Sequence, residues 1–433
     1  MKKKPVHGFL CALLGVYIAA GSPAVSRPPS SGQDFLQLKS KGLYREALQA
    51  IGGADFRNED ERQCELALLG VMELAKYPDL AGEALAALDR LSHAGAVDTV
   101  QLLKARLDQA RWGILLKMGD IRSAGKIAGR YHYLDFAVAG PFECSGLDSF
   151  NSERGPESAA DASSFTGRFG PVSWLGASPD RSGVIDMESL LPARPDDLFY
   201  FYREFDIRDP GEYDILLGKC GYTDVLLDGK PVFSSRAGHE FMLDQFRIRV
   251  AMNAGTHRIL VKTGYSRRGI RLSLRIADDS GRPVEAQKPV AGGGCAPSSA
   301  VEVAPYTLLA GGGSSDEDLF MKGYFFFIAG LVSDEEREAQ SCFEAIGPDS
   351  VYYPSVQYCL GAAETDDQGA LDRFRRSFGS GTGNAEAGIE LVRLKIELEQ
   401  FDEAYEIVSA MEKLFRPSFL CTQAMAEYCA ARG

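Results

Sequence analysis

The spacing of apolar residues changes twice along this 433-residue chain, and the change limits the folds that the chain can adopt. Over residues 34–132 the apolar residues recur at helical spacing, and this spacing returns over 319–433. Over 135–285 short apolar runs alternate with polar residues, which is typical of β-strands. One hydrophobic core rarely serves a chain of this length, so the pattern predicts separate α and β parts.

The middle part has the strand pattern of an antiparallel sandwich. Asp228-Gly229 lies between two apolar segments and predicts a hairpin turn with positive φ at the glycine. No helical pattern separates the strand-like runs, which favours two antiparallel sheets. Residues 145–183 and 286–318 are rich in small and polar residues and predict long loops and a flexible linker, respectively. The strand-like runs are 198–207, 213–217, 224–227, 246–250, 258–262 and 270–276.

Alanines recur at repeat-like distances in both helical parts. In the C-terminal part they lie early in the helical stretches 335–346, 368–378 and 401–414, separated by 31 and 34 residues. In the N-terminal part the separations are less even, at 37 and 40 residues. This pattern resembles the tetratricopeptide repeat, which has a period of about 34 residues and a small residue where two helices pack. An ordinary helical bundle is the alternative. The alanines are Ala47, Ala84, Ala124, Ala339, Ala370 and Ala404.

Three segments of the sandwich carry a second resemblance. Residues 223–232 and 246–262 are similar to strand pairs in the jelly-roll modules of galactose-binding and glycosidase sugar-binding proteins. Residues 135–142 resemble the first strand of sandwiches in large exported bacterial proteins that combine helical repeats with a transglutaminase-like domain. The resemblance implies a jelly-roll-like sandwich. A transglutaminase-like domain would bring a Cys-His-Asp triad, and we find no counterpart after Leu420. We therefore expect either a chain without that domain or the N-terminal portion of such a design.

The first 26 residues have the pattern of an export signal. Lys2 to Lys4 precede an apolar stretch at 9–20, and small residues follow it up to residue 26. The apolar stretch is shorter than the roughly 20 residues that a membrane-spanning helix needs. We predict a signal peptide over 1–26, export to the periplasm or cell envelope, and no membrane span in the mature chain. Lipid attachment at Cys11 is the alternative, although the expected small residues do not precede it.

The charge of the chain bears on its partners. The formal net charge is −13, and it becomes −16 when the three lysines of the signal segment are removed. A surface this acidic repels phosphate backbones, which argues against binding to nucleic acid and to anionic membranes.

The motifs that could carry catalysis or bind a metal are incomplete. His239-Glu240 begins like a zinc-protease motif, but Leu243 stands where the second histidine would be. Residues 379–384 are glycine-rich but lie between two helical stretches, so we predict a connecting loop and no phosphate site. Asp278 and Asp279 have the pattern of a turn, with calcium binding as the alternative. We expect no catalytic residue, no metal and no cofactor.

One strand presents a possible ligand-binding face. In 198–207 the three phenylalanines point to one side and two tyrosines and two acids to the other. The tyrosine side could stack on sugar rings, or it could pack under a loop or against a helix. Trp174, in the predicted loops, is a second candidate of this kind. The candidate ligand-binding residues are Tyr200, Tyr202, Glu204 and Trp174.

These patterns together predict an exported, non-catalytic scaffold. Its helical repeats would present concave surfaces to protein partners, and the sandwich would space or orient them. The alternative is a carbohydrate-binding protein of the cell envelope that uses the outer face of the sandwich.

Overall fold

The chain is helical, then antiparallel β-sheet, then helical again, as the spacing of apolar residues predicts. The predicted signal segment at 1–26 lies outside the residues that the computed structural model describes. No helix within that described part is both long enough and apolar enough to cross a membrane. The described residues are 32–53, 61–160, 162–191, 193–194, 196–236, 241–264, 269–278, 281–284, 298–305, 307, 313–328, 338–364, 366–379, 383–415 and 418–432.

The helices fall into an N-terminal segment, three short pieces within the β part, and a C-terminal segment. Those of the N-terminal segment are α1 (Gly32–Ser40), α2 (Tyr44–Gly53), α3 (Glu61–Leu74), α4 (Ala81–Leu91), α5 (Gly95–Thr99), α6 (Gln101–Lys117) and α7 (Ile121–Ala128). The short pieces are α8 (Leu147–Asn151), α9 (Gly155–Ser158) and α10 (Met187–Leu190). The C-terminal segment has α11 (Asp316–Ile328), α12 (Glu338–Glu344), α13 (Tyr353–Ala363), α14 (Asp367–Gly379), α15 (Ala385–Glu397), α16 (Phe401–Phe415) and α17 (Phe419–Arg432).

Five helices share a buried alanine at their fourth residue. The distance between two packed helices depends on the side chains at the contact, so a methyl group there lets the backbones approach closely. The predicted alanine pattern thus corresponds to a repeated packing position. Ala339, the sixth alanine of the pattern, is also buried, in α12. The five are Ala47 of α2, Ala84 of α4, Ala124 of α7, Ala370 of α14 and Ala404 of α16.

Three of these helices also share the turn that precedes them. Gly42, Gly119 and Glu399 each lie two residues before the helix and have φ values of 70°, 78° and 60°. This left-handed conformation ends the preceding helix and reverses the chain, and glycine adopts it at little cost. Two helices joined in this way form a helical hairpin.

The β part consists of two antiparallel sheets and a small hairpin. All six predicted runs correspond to strands. Each strand is longer than its predicted run, and Gly255–Gly264 is twice as long as the predicted 258–262. Two of the outer strands, Leu175–Ala177 and Ile185–Asp186, have only three and two residues, too few for an alternation to show. The six-stranded sheet has the order β4 (Leu175–Ala177), β1 (Phe136–Glu143), β6 (Asp197–Ile207), β11 (Gly255–Gly264), β8 (Tyr222–Leu227), β9 (Lys230–Ser235). The five-stranded sheet has the order β13 (Ser298–Pro305), β10 (Phe246–Met252), β7 (Gly211–Lys219), β12 (Arg271–Asp278), β5 (Ile185–Asp186). The hairpin pairs β2 (Phe165–Gly167) with β3 (Gly170–Val172).

The apolar sides of the two sheets belong to one core. Phe201 and Phe205 of the six-stranded sheet and Ile215 of the five-stranded sheet are fully buried in the same cluster of apolar side chains. The cluster continues into both helical segments. The predicted hairpin turn lies between β8 and β9, where Asp228 and Gly229 both have positive φ, at 53° and 78°. Two such residues in succession form the turn that matches the twist of a hairpin.

Part of the predicted linker over 286–318 forms regular secondary structure instead. Ser298–Pro305 form strand β13, which pairs with β10, and α11 begins at Asp316. The glycine-rich stretches on either side dominated the composition, whereas Val301 and Val303 carry the alternation of a strand. The predicted loops at 145–183 likewise contain α8, α9 and the short strands β2 to β4.

The two helical segments, far apart in sequence, pack against one another. Gln63 of α3 hydrogen-bonds to Glu317 of α11, and the rings of Tyr44 (α2) and Phe419 (α17) lie 6.3 Å apart. The β part is therefore an insertion between two halves of one helical body. The local pattern along the chain contains no signal for this association.

Helix α6 joins the helical body to the five-stranded sheet. Asp244, just before β10, accepts hydrogen bonds from Gln109 of α6 at 2.7 Å and from Arg275 of β12 at 2.9 Å. Arg275 and Asp244 are almost completely buried. Buried charges are stable only when they are paired, so these contacts fix the helices on the sheet.

Candidate functional site

The outer face of the six-stranded sheet contains the predicted ligand-binding residues, and part of it is covered. Tyr200 is completely buried beneath residues of the 145–183 region. Its hydroxyl donates a hydrogen bond to Glu157, and burial raises the pKa of the phenol. The ring of Tyr200 packs edge-on against Phe142 at 5.4 Å. In this conformation Tyr200 packs under a loop, one of the two roles considered for it, and presents no free face to a sugar.

The cover over Tyr200 is fastened by a buried lysine. Lys262 of β11 donates hydrogen bonds to Glu157 at 2.8 Å and to the carbonyl of Ser152 at 3.0 Å. Its ammonium lies 5.1 Å from the centre of the Phe150 ring, within the range of a cation–π contact. We call residues 144–158 the strap. Sequence reasoning missed the strap contacts because a single lysine on a strand gives no sign of its partner.

The rest of the outer face is partly open. Tyr202 and Glu204 are half-buried, and the Tyr202 hydroxyl donates a hydrogen bond to Glu204 at 2.7 Å. Arg258, whose side chain is 53% exposed, forms an ion pair with Glu204 at 2.9 Å. The ring of Trp174 lies 5.6 Å from that of Tyr202. Three of the four predicted residues therefore come together in what we call the open patch, and Tyr200 does not join them.

Trp174 is held in place by the loop that carries it. Its indole nitrogen donates to the carbonyls of Ala160 and Ala162, both at 3.1 Å, and Phe165 packs against the ring edge. The two neighbouring rings of Trp174 and Tyr202 offer stacking, and the Tyr202 hydroxyl and Glu204 offer hydrogen bonding in the same patch. This is the chemistry of a surface that contacts a polar ligand with an apolar face.

A second polar cluster lies between the two helical segments. The Lys39 ammonium of α1 contacts both oxygens of Glu386 (α15), at 3.0 and 2.9 Å, and lies 3.3 Å from Glu73 (α3). Tyr44 donates a hydrogen bond to Glu386 at 3.1 Å, and Tyr324 of α11 donates one to Glu73. A small cavity adjoins the cluster. Six helices meet here, since α13 also lines the cavity with Tyr358 and Cys359.

Burial and charge act in opposite directions on the two carboxyl groups of this cluster. Burial raises the pKa of Glu386, and the Lys39 ammonium only partly offsets this. Burial acts in the same sense on Glu73, but the ammonium groups of Lys39 and Lys76 outweigh it and lower the pKa of Glu73. The two carboxyl groups share one closely bound ammonium, so Glu386 is the group that keeps its proton more readily.

Two of the residues considered for metal and phosphate sites lie in a turn and in a helix cap, respectively. Asp278 accepts hydrogen bonds from the backbone and side chain of Arg282, as in the predicted turn. Asn384 caps the start of α15, so the glycine-rich segment joins two helices. His239 and Asp279 lie outside the described residues. Within the described ranges there is no group of three or more His, Cys, Asp or Glu that could hold a metal ion.

Comparison with known proteins adds no assignment. No protein-family model matches the chain, and no curated protein matches it significantly. The function must therefore be argued from the residues and their geometry.

Proposed function

We propose that this protein is an exported, non-catalytic scaffold that binds a protein partner through its helical hairpins. The observation that carries the proposal is the repeated hairpin, in which a left-handed residue precedes a helix with a buried alanine at its fourth position. Stacked hairpins of this kind, such as tetratricopeptide repeats, are built to present an extended helical surface. The sandwich, which we propose to be a jelly-roll module, holds the helical body through α6.

The C-terminal hairpins offer the most accessible surface for a partner. Tyr405 and Leu414 of α16 are 51% and 63% exposed, and the Tyr405 ring packs beside Tyr428 of α17 at 5.5 Å. Tyrosines that expose a ring and a hydroxyl are enriched where proteins bind one another. Export to the periplasm or cell envelope completes the proposal and rests on residues 1–26.

Site-specific photo-crosslinking in the cells that make the protein tests the scaffold function. A photoreactive amino acid at position 405 or 414 should give a discrete protein adduct. The same amino acid at Lys230, exposed on the β8–β9 hairpin, is the matched control and should not give that adduct. Failure at both helical positions, or the same adducts from all three positions, would contradict the proposal.

Carbohydrate binding at the open patch is the second candidate. It is favoured by the fixed Trp174 ring beside Tyr202 and the Glu204–Arg258 ion pair. Screening the purified chain on a glycan array tests it. Binding that is lost in both Trp174→Ala and Tyr202→Ala, but kept in Tyr405→Ala, would establish this function. An array without a bound glycan would eliminate it.

A further inference from the structure

Besides the exposed surface of α16, the helical body has inner helices that no partner can reach in this conformation. In α3, every residue from Cys64 to Val71 is buried, and α15 is buried from Ala385 to Ile389. A helix that is buried all round lies inside a core and offers no surface to a partner. These inner helices therefore become accessible only when the N-terminal and C-terminal segments separate.

The contact between the two segments is unusually ionic for such an interior. Besides the Lys39 cluster, Arg62 of α3 pairs with Asp318 of α11. Removing charges from water is costly, and a buried ion pair stabilises a contact less than well-packed apolar residues of the same size would. Within the Lys39 cluster two carboxyl groups share one ammonium, so full ionisation leaves a negative charge in excess. A second cation, Lys76, lies 3.9 Å from Glu73 and is 57% exposed.

We propose that the Lys39–Glu73–Glu386 cluster is a latch: it holds the two helical segments together, and its release exposes their inner helices to a partner. The proposal rests on the scaffold function above and names its regulation. The geometry supports it because the contacts of Lys39 and Tyr44 with Glu386, and of Tyr324 with Glu73, all join the N-terminal to the C-terminal segment. Separating the segments breaks these contacts together, whereas the Lys39–Glu73 contact stays within the N-terminal segment. The cavity next to the cluster, lined by Lys39 and Glu386, is where water would enter first.

Protonation of Glu386 sets the direction in which pH acts on the latch. The pKa of Glu386 is raised in the closed form, so protonated Glu386 stabilises the closed form at low pH. This stabilisation is lost as the pH rises above 4.5, the usual pKa of a glutamate. Against the effect of burial, the pKa of Glu73 is lowered mainly by Lys39 and Lys76. Both lysines belong to the same segment and stay beside Glu73 when the segments separate, so Glu73 adds little to the pH dependence of opening. The latch is therefore tighter in mild acid than at neutral pH. Among the described residues, the titratable groups that face the cluster from neighbouring positions are Tyr44, Lys76, Tyr77, Tyr324, Tyr358, Cys359 and Glu390.

Hydrogen exchange of the full chain, read by mass spectrometry at pH 5 and pH 7.5, tests the latch without any partner. After correction for intrinsic exchange, α1 and α15 should exchange faster at pH 7.5, by up to about tenfold for each pH unit across the titration of one group. Glu386→Gln keeps the shape of the side chain but removes the titrating group. In this variant α1 and α15 should exchange slowly at both pH values. Glu403→Gln, on the neighbouring helix and ion-paired with Lys395, is the matched control and should behave like the unchanged chain.

The natural cysteines provide an independent measurement. Cys359 is buried beside the cavity and Cys429 is exposed, so maleimide labelling of Cys359 relative to Cys429 should rise with opening. The latch proposal is overturned if the exchange of α1 and α15 does not change with pH. It is also overturned if the Glu386→Gln variant shows the same pH dependence as the unchanged chain. These results stand whether or not a crosslinked partner is found, so failure of the latch and failure of the scaffold function are distinguishable.

Discussion

The Lys39 ammonium lies 2.9 Å from a carboxylate oxygen of Glu386, although 347 residues separate the two along the chain. The contact closes a loop that contains the whole β part. Bringing two such distant segments together costs chain entropy, which the packing of the helices must outweigh. The helical body therefore depends on both ends of the described chain, and its two halves are better regarded as one unit than as two flanking domains.

The docking of α6 on the five-stranded sheet leads to the first prediction. Arg275 donates two hydrogen bonds to one carboxylate oxygen of Asp244, at 2.9 and 2.5 Å. Arg275→Met would leave a buried carboxylate without its cation and should lower the free energy of unfolding by about 3–5 kcal/mol. Urea unfolding measures the change.

A double variant is the control for this prediction. Asp244→Asn combined with Arg275→Met removes both charges, and asparagine tolerates the positive φ of 51° at this position. The double variant should recover part of the lost stability. A double variant no more stable than Arg275→Met alone would contradict the role of the ion pair.

The second prediction concerns the strap over Tyr200. Lys262→Met removes the hydrogen bonds to Glu157 and Ser152, so the amides of α8 and α9 should exchange faster while those of β6 stay protected. Arg258→Met changes a cation on the same strand at an exposed position and should leave the strap unaffected. Equal exchange of α8 and α9 in the two variants would show that Lys262 does not fasten the strap.

His257 carries the third prediction. Its two ring nitrogens lie 2.8 Å from Asp228 and from the carbonyl of Asn253, and neither acceptor has a proton to donate. Burial lowers the pKa of His257, but the hydrogen bonds to Asp228 and Asn253 outweigh this and raise it above 6.5. The charged imidazole thus links the β8–β9 and β10–β11 turns.

The stabilisation by His257 is fully present below pH 6.5 and is lost as pH rises through the raised pKa. His257→Asn should therefore cost about 1.5–3 kcal/mol at pH 6 and distinctly less at pH 9. Denaturant unfolding at both pH values measures this, with the exposed His132→Asn as control. A cost that does not fall with rising pH would contradict the charged state.

Features repeated along the chain could be predicted from the sequence. The strand at Asp197–Ile207 and the helix at Phe401–Phe415 were predicted to within one residue, because alternation and helical spacing are local signals. The alanine pattern likewise identified Ala404, which is completely buried. Each of these features depends only on residues close together in the chain, so it can be predicted from a single sequence.

Contacts between distant segments could not be predicted. Alternation placed Tyr200 on the outer face of its sheet, but it carries no information on whether Glu157 and Phe150 cover that face. In the same way, Lys39 and Glu386 are ordinary charged residues of two helices, and their pairing is specified by the packing of six helices. Alternation thus places Tyr202 and Glu204 on one face of the sheet, but the position of Trp174 beside them, the strap and the Lys39 cluster depend on packing between distant segments.

The final prediction concerns the helical turns. Glu399 has the same left-handed conformation as Gly42 and Gly119, although a side chain costs energy there. Glu399 is exposed and its backbone nitrogen donates to the carbonyl of Ile396, a bond that glycine keeps. Glu399→Gly should therefore raise the free energy of unfolding by about 0.5–1 kcal/mol.

Gly119→Ala is the matched converse of this change. A Cβ atom at Gly119 would meet nothing within 4 Å, so any loss of stability reports the backbone conformation alone. We expect a loss of about 1 kcal/mol by urea unfolding. Opposite signs for the two variants would establish that both turns need the same left-handed residue. A Glu399→Gly variant less stable than the unchanged chain would contradict the equivalence of the hairpins on which the scaffold proposal depends.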